Sequence, residues 1–263
     1  MNRGKAANSL LAILLPIGIV IVLVCLWQFL LMQHLLIDTM FPYPIQVWRA
    51  GIKVMHGSQV YQDIFSSLWR VAIGFSLSFV LALPSGLLLA SNQLIRTALL
   101  PFVNFLRCLS PLAWIGFSIA WFGVGDTSAI FLIFMSLYFS MTLSIFAATV
   151  SIDPTFFRVA SEYGINGYHR VTKVLLPAIM PQVITLLRIS MGIAWLVVVA
   201  AEMVAGRSGL GFAIYDDRNA LRPDRLVVHM LLIGIIGLLL DKIISQLSRM
   251  PSVQWGYRQG IKD

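Results

Sequence analysis

The stretch DPTFFRVASEYGINGYHRVTKVLLP, from Asp153 to Pro177, is the longest polar-looking segment between two strongly apolar ones. Asp153-Pro154 is a helix-start signal: a carboxylate that accepts from free backbone N–H groups, then a proline at the first helical position. Phe156, Phe157, Val159 and Ala160 fall among Arg158, Ser161 and Glu162, which gives a helix with an apolar and a polar side. Gly164 and Gly167 break that helix. Arg158, Arg170 and Lys173 form a basic patch, and Leu176-Pro177 leads into the next apolar run. A structured polar island in an otherwise apolar chain is where a soluble partner finds a grip.

Around this island the chain is apolar. Hydrophobic residues make up 59% of its 263 residues and charged residues 11%, less than half the usual globular share of about 25%. Folding alone cannot hide so much apolar surface from water, so the chain reads as an all-α integral membrane protein. About six spans of roughly 20 residues fit its length. No stretch is long and polar enough for a separate soluble domain, so residues 1–263 read as one transmembrane domain. The net charge of +8 is read as charge that holds topology, rather than as a nucleic-acid surface. Cys25 and Cys108 lie in apolar runs, and His34, His56, His169 and His229 are scattered, so neither a disulfide framework nor a metal site is expected. The first apolar run is too long for a signal-peptide core and reads as a retained span.

The expected spans are about 10–32, 66–90, 99–122, 128–150, 178–205 and 226–247. Between the first two, Tyr43 and Trp48 suit an amphipathic helix at headgroup level. Gly74, Ser76, Ser78 and Gly86 give the second span small residues that let helices approach closely. Pro101 and Pro111 predict a kink or break near the start of the third. A polar loop, Gly206 to Arg225, joins the last two spans, and a tail follows with Trp255-Gly256-Tyr257-Arg258. With the N-terminus inside, Arg3, Lys5, Arg96, Arg158, Arg170, Lys173, Lys242, Arg249, Arg258 and Lys262 are cytoplasmic. Arg49, Lys53, Arg207, Arg218, Arg222 and Arg225 are then outside. That is ten against six, the positive-inside sense, with both termini and residues 153–177 in the cytoplasm.

Four charges fall in or at the edges of spans: Arg70, Arg107, Arg188 and Glu202. A charge at membrane depth is paired, solvated in a cavity, or near an interface. All four are candidates for a translocation pathway, and for Arg188 and Glu202 a tie between helices is the plainer reading. Arg70, near the end of its span, also has the length to snorkel to headgroups. Arg188 and Glu202 stand about 21 Å apart along one helix at roughly 1.5 Å per residue, so each needs a partner elsewhere. Met180, Met191 and Met203 with Trp195 read as packing and not as a ligand stripe. No nucleophile–base pair, carboxylate pair or G-x-x-x-x-G-K-[ST] phosphate loop is legible, so the chain reads as a non-enzyme. If ATP drives it, the ATPase is a separate chain.

Residues 153–177 resemble the EAA loop of bacterial ABC importer permeases, a Glu-Ala-Ala triplet followed by a glycine and an Ile-x-Leu-Pro exit. Arg158-Val159-Ala160, Gly164 and Val174-Leu175-Leu176-Pro177 stand at the matching positions. Arg158 replaces the family's glutamate, and Glu162, one turn on, is spaced to pair with it. Further stretches are similar to the nitrate/sulfonate/taurine/bicarbonate branch. These are Ser66-Ser67-Leu68-Trp69-Arg70, then Leu112-Ala113-Trp114-Ile115 with Trp121-Phe122-Gly123, and Arg188 to Glu202 with Ala194-Trp195 and Ala200-Ala201. The resemblance implies a type I, MetI-like permease fold in a bacterial inner membrane. It implies two permease copies, two ATPase subunits holding ATP and Mg, and one binding protein, soluble or lipid-anchored, that delivers ligand from outside. The segment with Arg158, Val159, Ala160, Glu162, Gly164, Gly167, Leu176 and Pro177 would then couple to the ATPase, with no cofactor or metal in this chain. The cargo implied is a small anion such as nitrate, bicarbonate, cyanate, taurine or an alkanesulfonate. A stand-alone secondary transporter or channel is the alternative, and the chain shows no evident internal repeat in its favour.

Overall fold

The computed structural model describes residues 3–33 and 41–247. The first-loop residues 35–38 and the tail at 255–258 lie outside the described residues. All regular structure described is helical, as expected where lipid cannot satisfy backbone groups. In chain order come α1 (Arg3–Met32), α2 (Pro44–His56), α3 (Ser58–Ser91) and α4 (Gln93–Cys108). A 3₁₀ turn (Pro111–Trp114), α5 (Ile115–Phe122) and α6 (Asp126–Val150) follow. Then come α7 (Pro154–Glu162), α8 (Gly167–Arg170), a π turn (Val171–Leu175), α9 (Leu176–Ala205), α10 (Leu210–Asn219) and α11 (Pro223–Leu247).

Four helical stretches are long and apolar enough to cross a membrane: Ser58–Ser91, Asp126–Val150, Gly167–Ala205 and Pro223–Gln246. A bent pair, Gln93–Cys108 with Pro111–Phe122, supplies a fifth, and α1 contributes the apolar stretch Gly18–Met32. Three boundaries differ from expectation. The second span's helix begins at Ser58, ahead of the expected position near Ser66. The break in the third falls after Cys108 and not near Pro101, which α4 accommodates in its interior. The two helices of that pair meet at 90°. The cause is Pro111, whose ring pushes the preceding residue out of the helical region: Ser110 is extended at ψ 129° and Leu109 at ψ 130°. Finally, the polar loop after α9 contains α10.

The chain divides into two compact units, Met1–Val60 with Ile214–Leu231, and Tyr61–Ala213 with Leu232–Asp263. In the first, Pro44 opens α2, and the Gln46 side chain accepts a hydrogen bond from the Tyr43 backbone N–H at 2.9 Å. Val47 and Ala50 are buried, while Ile45, Trp48, Ile52 and Met55 form an exposed apolar stripe beside exposed Arg49 and Lys53. That is the three-sided pattern of a helix with one face on protein and two toward an interface.

The second unit is built on α6 and α9, which run antiparallel and bury Leu132, Leu137, Met141 and Ile145 against Val183, Met191, Ala194 and Val198. Helix α3 packs parallel to α6 through small residues at four-residue steps, Gly74, Ser78, Ala82 and Gly86. A Cβ on Gly74 would fall 2.7 Å from Ile133 Cγ2, and one on Gly86 2.8 Å from Ile145 Cβ. Gly74→Val is therefore expected to destabilise the fold by about 1–3 kcal/mol through overpacking. The measurement is thermal unfolding in detergent, and pairing the change with Ile133→Ala should restore most of the loss. On the other side of α9, Trp195 donates its Nε1–H to the Ile233 carbonyl at 3.0 Å and packs over Gly237 of α11. The tryptophan and Met191 are thus packing groups, as their spacing predicts.

Candidate functional site

Residues 153–175 form a folded connector between the C-terminal end of α6 and the N-terminal end of α9. Asp153 caps α7 by accepting the Thr155 backbone N–H at 2.8 Å, with Pro154 at the first helical position. That hydrogen bond, helped by the Thr155 side chain and the nearby Arg158 charge, holds the Asp153 carboxyl below its usual range. A depressed carboxylate adds stability at pH above its unfolded value and loses it as pH falls through the folded one. Acidification should therefore lower the amide protection factors, taken against the intrinsic exchange rate at each pH, in the first turn of α7. Asp153→Asn, which keeps a capping oxygen, should remove that pH dependence and leave the helix in place.

At its other end α7 closes in a Schellman motif. The Gly164 N–H donates to Ser161 O at 3.0 Å, and the Ile165 N–H reaches back to Ala160 O at 2.9 Å. Gly164 takes φ +71°, the left-handed conformation this motif requires, with nothing near the place of a Cβ. Gly167, at φ +57°, opens α8. The Arg170 guanidinium sits 4.5 Å over the Phe157 ring and ties α8 back onto α7. Ala160 is buried. On the other side, Phe156, Val159 and Tyr163 form an exposed apolar stripe, Tyr163 at 80% exposure. The π turn then feeds Leu176, which packs on the core, and Pro177, at the start of α9. The helical backbone thus continues from Gly167 through the π turn into α9. Arg158 and Glu162 are both exposed. Ion pairs among the described residues join Arg70 to Asp126 and Glu202, Arg188 to Asp241, and His229 to Asp217. Arg158 and Glu162 are not among them, which corrects the spacing-based pairing.

At the far end of α9 two of the four span charges, Arg70 and Glu202, meet. Arg70 is 1% exposed and Glu202 0% exposed, so Arg70 does not snorkel. The guanidinium uses all its N–H donors. Nε and Nη2 donate to Asp126 Oδ1 at 2.9 and 2.6 Å, Nη2 also to Ser208 Oγ at 2.7 Å, and Nη1 to Glu202 Oε1 and Ser208 O at 2.6 and 2.7 Å. The other Glu202 oxygen accepts from Ser67 Oγ at 2.8 Å and the Gly211 N–H at 3.0 Å. Gly209, at φ +107°, lies so close to the Glu202 carboxylate that no side chain fits there, and its N–H donates to Asp63 at 2.8 Å. One cation and three carboxylates thereby tie α3, α6, α9 and the 206–211 turn. Asp63, Asp126 and Ser208 were given no site role in the sequence, and Ser67 entered only within the stretch that carries the family resemblance. Their only signal was that each lies near the same end of its span as Arg70 or Glu202.

Arg188 makes a two-pronged pair with Asp241 of α11, at 2.8 and 2.9 Å, with both side chains about half exposed. Arg107 is exposed in the last turn of α4, beside the break. In the other unit, His229 Nδ1 lies 2.6 Å from Asp217 Oδ2. Burial pushes the Asp217 carboxyl up, and the bond to His229 offsets part of that rise. No group of His, Cys, Asp and Glu able to hold a metal ion occurs among the described residues.

A family model described as "Binding-protein-dependent transport system inner membrane component" matches residues 82–250. The nitrate import permease protein NrtB of Synechocystis sp. is 34% identical over 188 residues, covering 72% of this chain and 68% of that one. The taurine transport system permease protein TauC of Escherichia coli is 29% identical over 240 residues, covering 89% and 87%. A crystal structure of a bacterial ABC transporter involved in import of the acidic polysaccharide alginate superposes with a TM-score of 0.67 at 17% identity. It covers 93% of this chain and 96% of that one, and so supports the fold. The chain belongs to the binding-protein-dependent transport system inner membrane components, as an ABC importer permease of the nitrate/taurine/sulfonate type.

Proposed function

We propose that this permease carries a small anion, of the nitrate, bicarbonate, cyanate, taurine or alkanesulfonate kind, from an external binding protein into the cytoplasm. ATP with Mg is hydrolysed on separate ATPase subunits, and two permease copies form the membrane-spanning part. Both termini and the 153–177 connector lie in the cytoplasm, in keeping with the excess of arginine and lysine there. The observation that carries the reading is the exposed stripe of Phe156, Val159 and Tyr163 on α7. An apolar stripe on a polar, folded connector is a protein contact surface, and its α9 end is continuous with a membrane span. ATP binding that draws the ATPase subunits together pulls α7, and through Leu176-Pro177 moves α9. The names of the relatives support the anion class, and the binding protein chooses within it.

The test is reconstitution with the ATPase and binding protein in liposomes. Uptake of radiolabelled taurine or nitrate that needs ATP inside and binding protein outside supports the reading. Uptake by the permease alone, without ATPase, overturns it in favour of a secondary transporter.

A further inference from the structure

Helix α2 has 13 residues and is therefore about 20 Å long, too short to cross a hydrocarbon core of about 30 Å. Gly57, extended at φ −77° and ψ 140°, ends it one residue before the helix of the second span begins. Beside its middle stands α11: a Cβ on Gly51 would meet Val228 Cγ2 at 3.8 Å. Val228 lies about 7.5 Å along the helix from Pro223, where the membrane-crossing stretch of α11 starts. Interfacial helices bury their apolar face about 5–10 Å into the boundary between headgroups and acyl chains. That is the level at which α2 packs on α11.

Around its axis the residues of α2 fall into three separate arcs, at about 3.6 residues per turn. Val47, Ala50, Gly51 and Val54 are buried or half-buried and face protein. Ile45, Trp48, Ile52 and Met55 make an exposed apolar arc, with Trp48 at 69% exposure. Gln46, Arg49, Lys53 and His56 make the third, also exposed. Arg49 and Lys53, one turn apart, join none of the ion pairs among the described residues, and α2 contains no aspartate or glutamate. The described acids of the same unit, Asp216, Asp217 and Asp224, are matched in sequence by Arg218, Arg222 and Arg225. Water alone would leave the apolar arc uncovered, and acyl chains alone would leave the cations without counterions. A second copy of α2 laid on the first would bring like charges together. A bilayer surface with negative headgroups satisfies both arcs at once.

We propose that α2 is a binding site for anionic phospholipid, with Trp48 and its apolar neighbours among the acyl chains and Arg49 and Lys53 on the headgroup phosphates. The lipid lies in the outer leaflet, which rests on the topology proposed above. Arg49 offers paired, planar donors that match a phosphate, and Lys53 offers a compact charge on a flexible stem. A zwitterionic lipid carries the same phosphate, but its own ammonium group competes with Arg49 and Lys53 for it. Phosphatidylglycerol, which has no such cation, is therefore preferred. Through the contact of Gly51 with Val228, the bound lipid steadies the outer end of α11.

The experiment places the full-length permease in phosphatidylcholine vesicles that hold a fixed minor fraction of one brominated lipid, phosphatidylglycerol or phosphatidylcholine. Bromine quenches tryptophan fluorescence on contact, and subtracting the signal of the Trp48→Phe protein isolates Trp48. Brominated phosphatidylglycerol should quench Trp48 about three times as effectively as brominated phosphatidylcholine, or more, because each cation at the surface favours negative lipid. High salt should shrink that excess. Arg49→Gln with Lys53→Gln should abolish the excess and leave quenching by phosphatidylcholine in place, while Arg49→Lys with Lys53→Arg should retain it. Equal quenching by the two lipids overturns the proposal, as does an excess that survives the double glutamine change. It is also overturned if neither lipid quenches Trp48, since a second copy or another protein then covers the stripe. The brominated lipid occupies both leaflets, and neither ATPase nor binding protein is present. A failure here is therefore separate from an error in topology and from a failure of ATP-driven uptake.

Discussion

Gly164→Val should leave the permease in the membrane at normal abundance while reducing ATPase capture about 5- to 30-fold. The size follows from the backbone. At φ +71° a residue with a Cβ costs roughly 1–2 kcal/mol more than glycine, and a β-branched one at least that, which amounts to about a 5- to 30-fold shift in population. Space is not the issue, because a Cβ at Gly164 meets nothing within 4 Å. The strain is relieved by opening the Schellman turn, which releases the Ile165-to-Ala160 hydrogen bond and lets the end of α7, with Tyr163, swing from its place. The permease core, which begins again at Leu176, is untouched. Gly164→Asn, a residue that visits the left-handed region more readily, should bind ATPase close to normally. Gly164→Asp should fall between, since its charge opposes the C-terminal end of the α7 dipole. Co-purification of the ATPase with tagged permease reads all three. Equal capture by the valine and asparagine variants would remove α7 from the contact.

Much of this architecture is written locally. The apolar runs mark the spans because a bilayer admits little else, and Asp153-Pro154 and Gly164 bracket α7 because capping and left-handed closure each demand particular residues. The break in the third span was half legible. Two prolines offered themselves, and only the one whose preceding residue had to leave the helix, Pro111, broke it. The charge network was legible only in part: Glu202 was expected to tie to another helix, but its partners were not named. Arg70 meets partners 56 and 132 residues away, and it carried an adequate local reading as a snorkelling cation. Which side of α9 faces open space was also illegible, since it depends on which side its neighbours occupy, and that is a property of the packed helices rather than of α9 alone.

Arg70→Met should cost about 3–5 kcal/mol, the usual consequence of removing one partner of a buried ion pair, and should prevent recovery of folded permease from membranes. The methionine fills much of the volume, so the loss is electrostatic. Glu202, fully buried, would keep only Ser67 and Gly211 as donors, and Asp126 would lose its cation. Arg70→Lys should rescue little, because an ammonium group has three donors where the site uses the five of a guanidinium. Glu202→Gln should be milder alone, since an amide can still accept from Ser67 or Gly211. The double variant Arg70→Met, Glu202→Gln should recover a substantial part of the stability, because the stranded charge is gone. The readouts are the monodisperse fraction after detergent extraction and the unfolding temperature. If the double variant is as unstable as Arg70→Met alone, the cost comes from the lost ties to Asp126 and Ser208. The network would then serve chiefly to fasten the ends of α3 and α6 to the 206–211 turn. Either result separates two roles that the geometry superimposes: neutralising a buried glutamate, and bolting three spans together at the end opposite the connector.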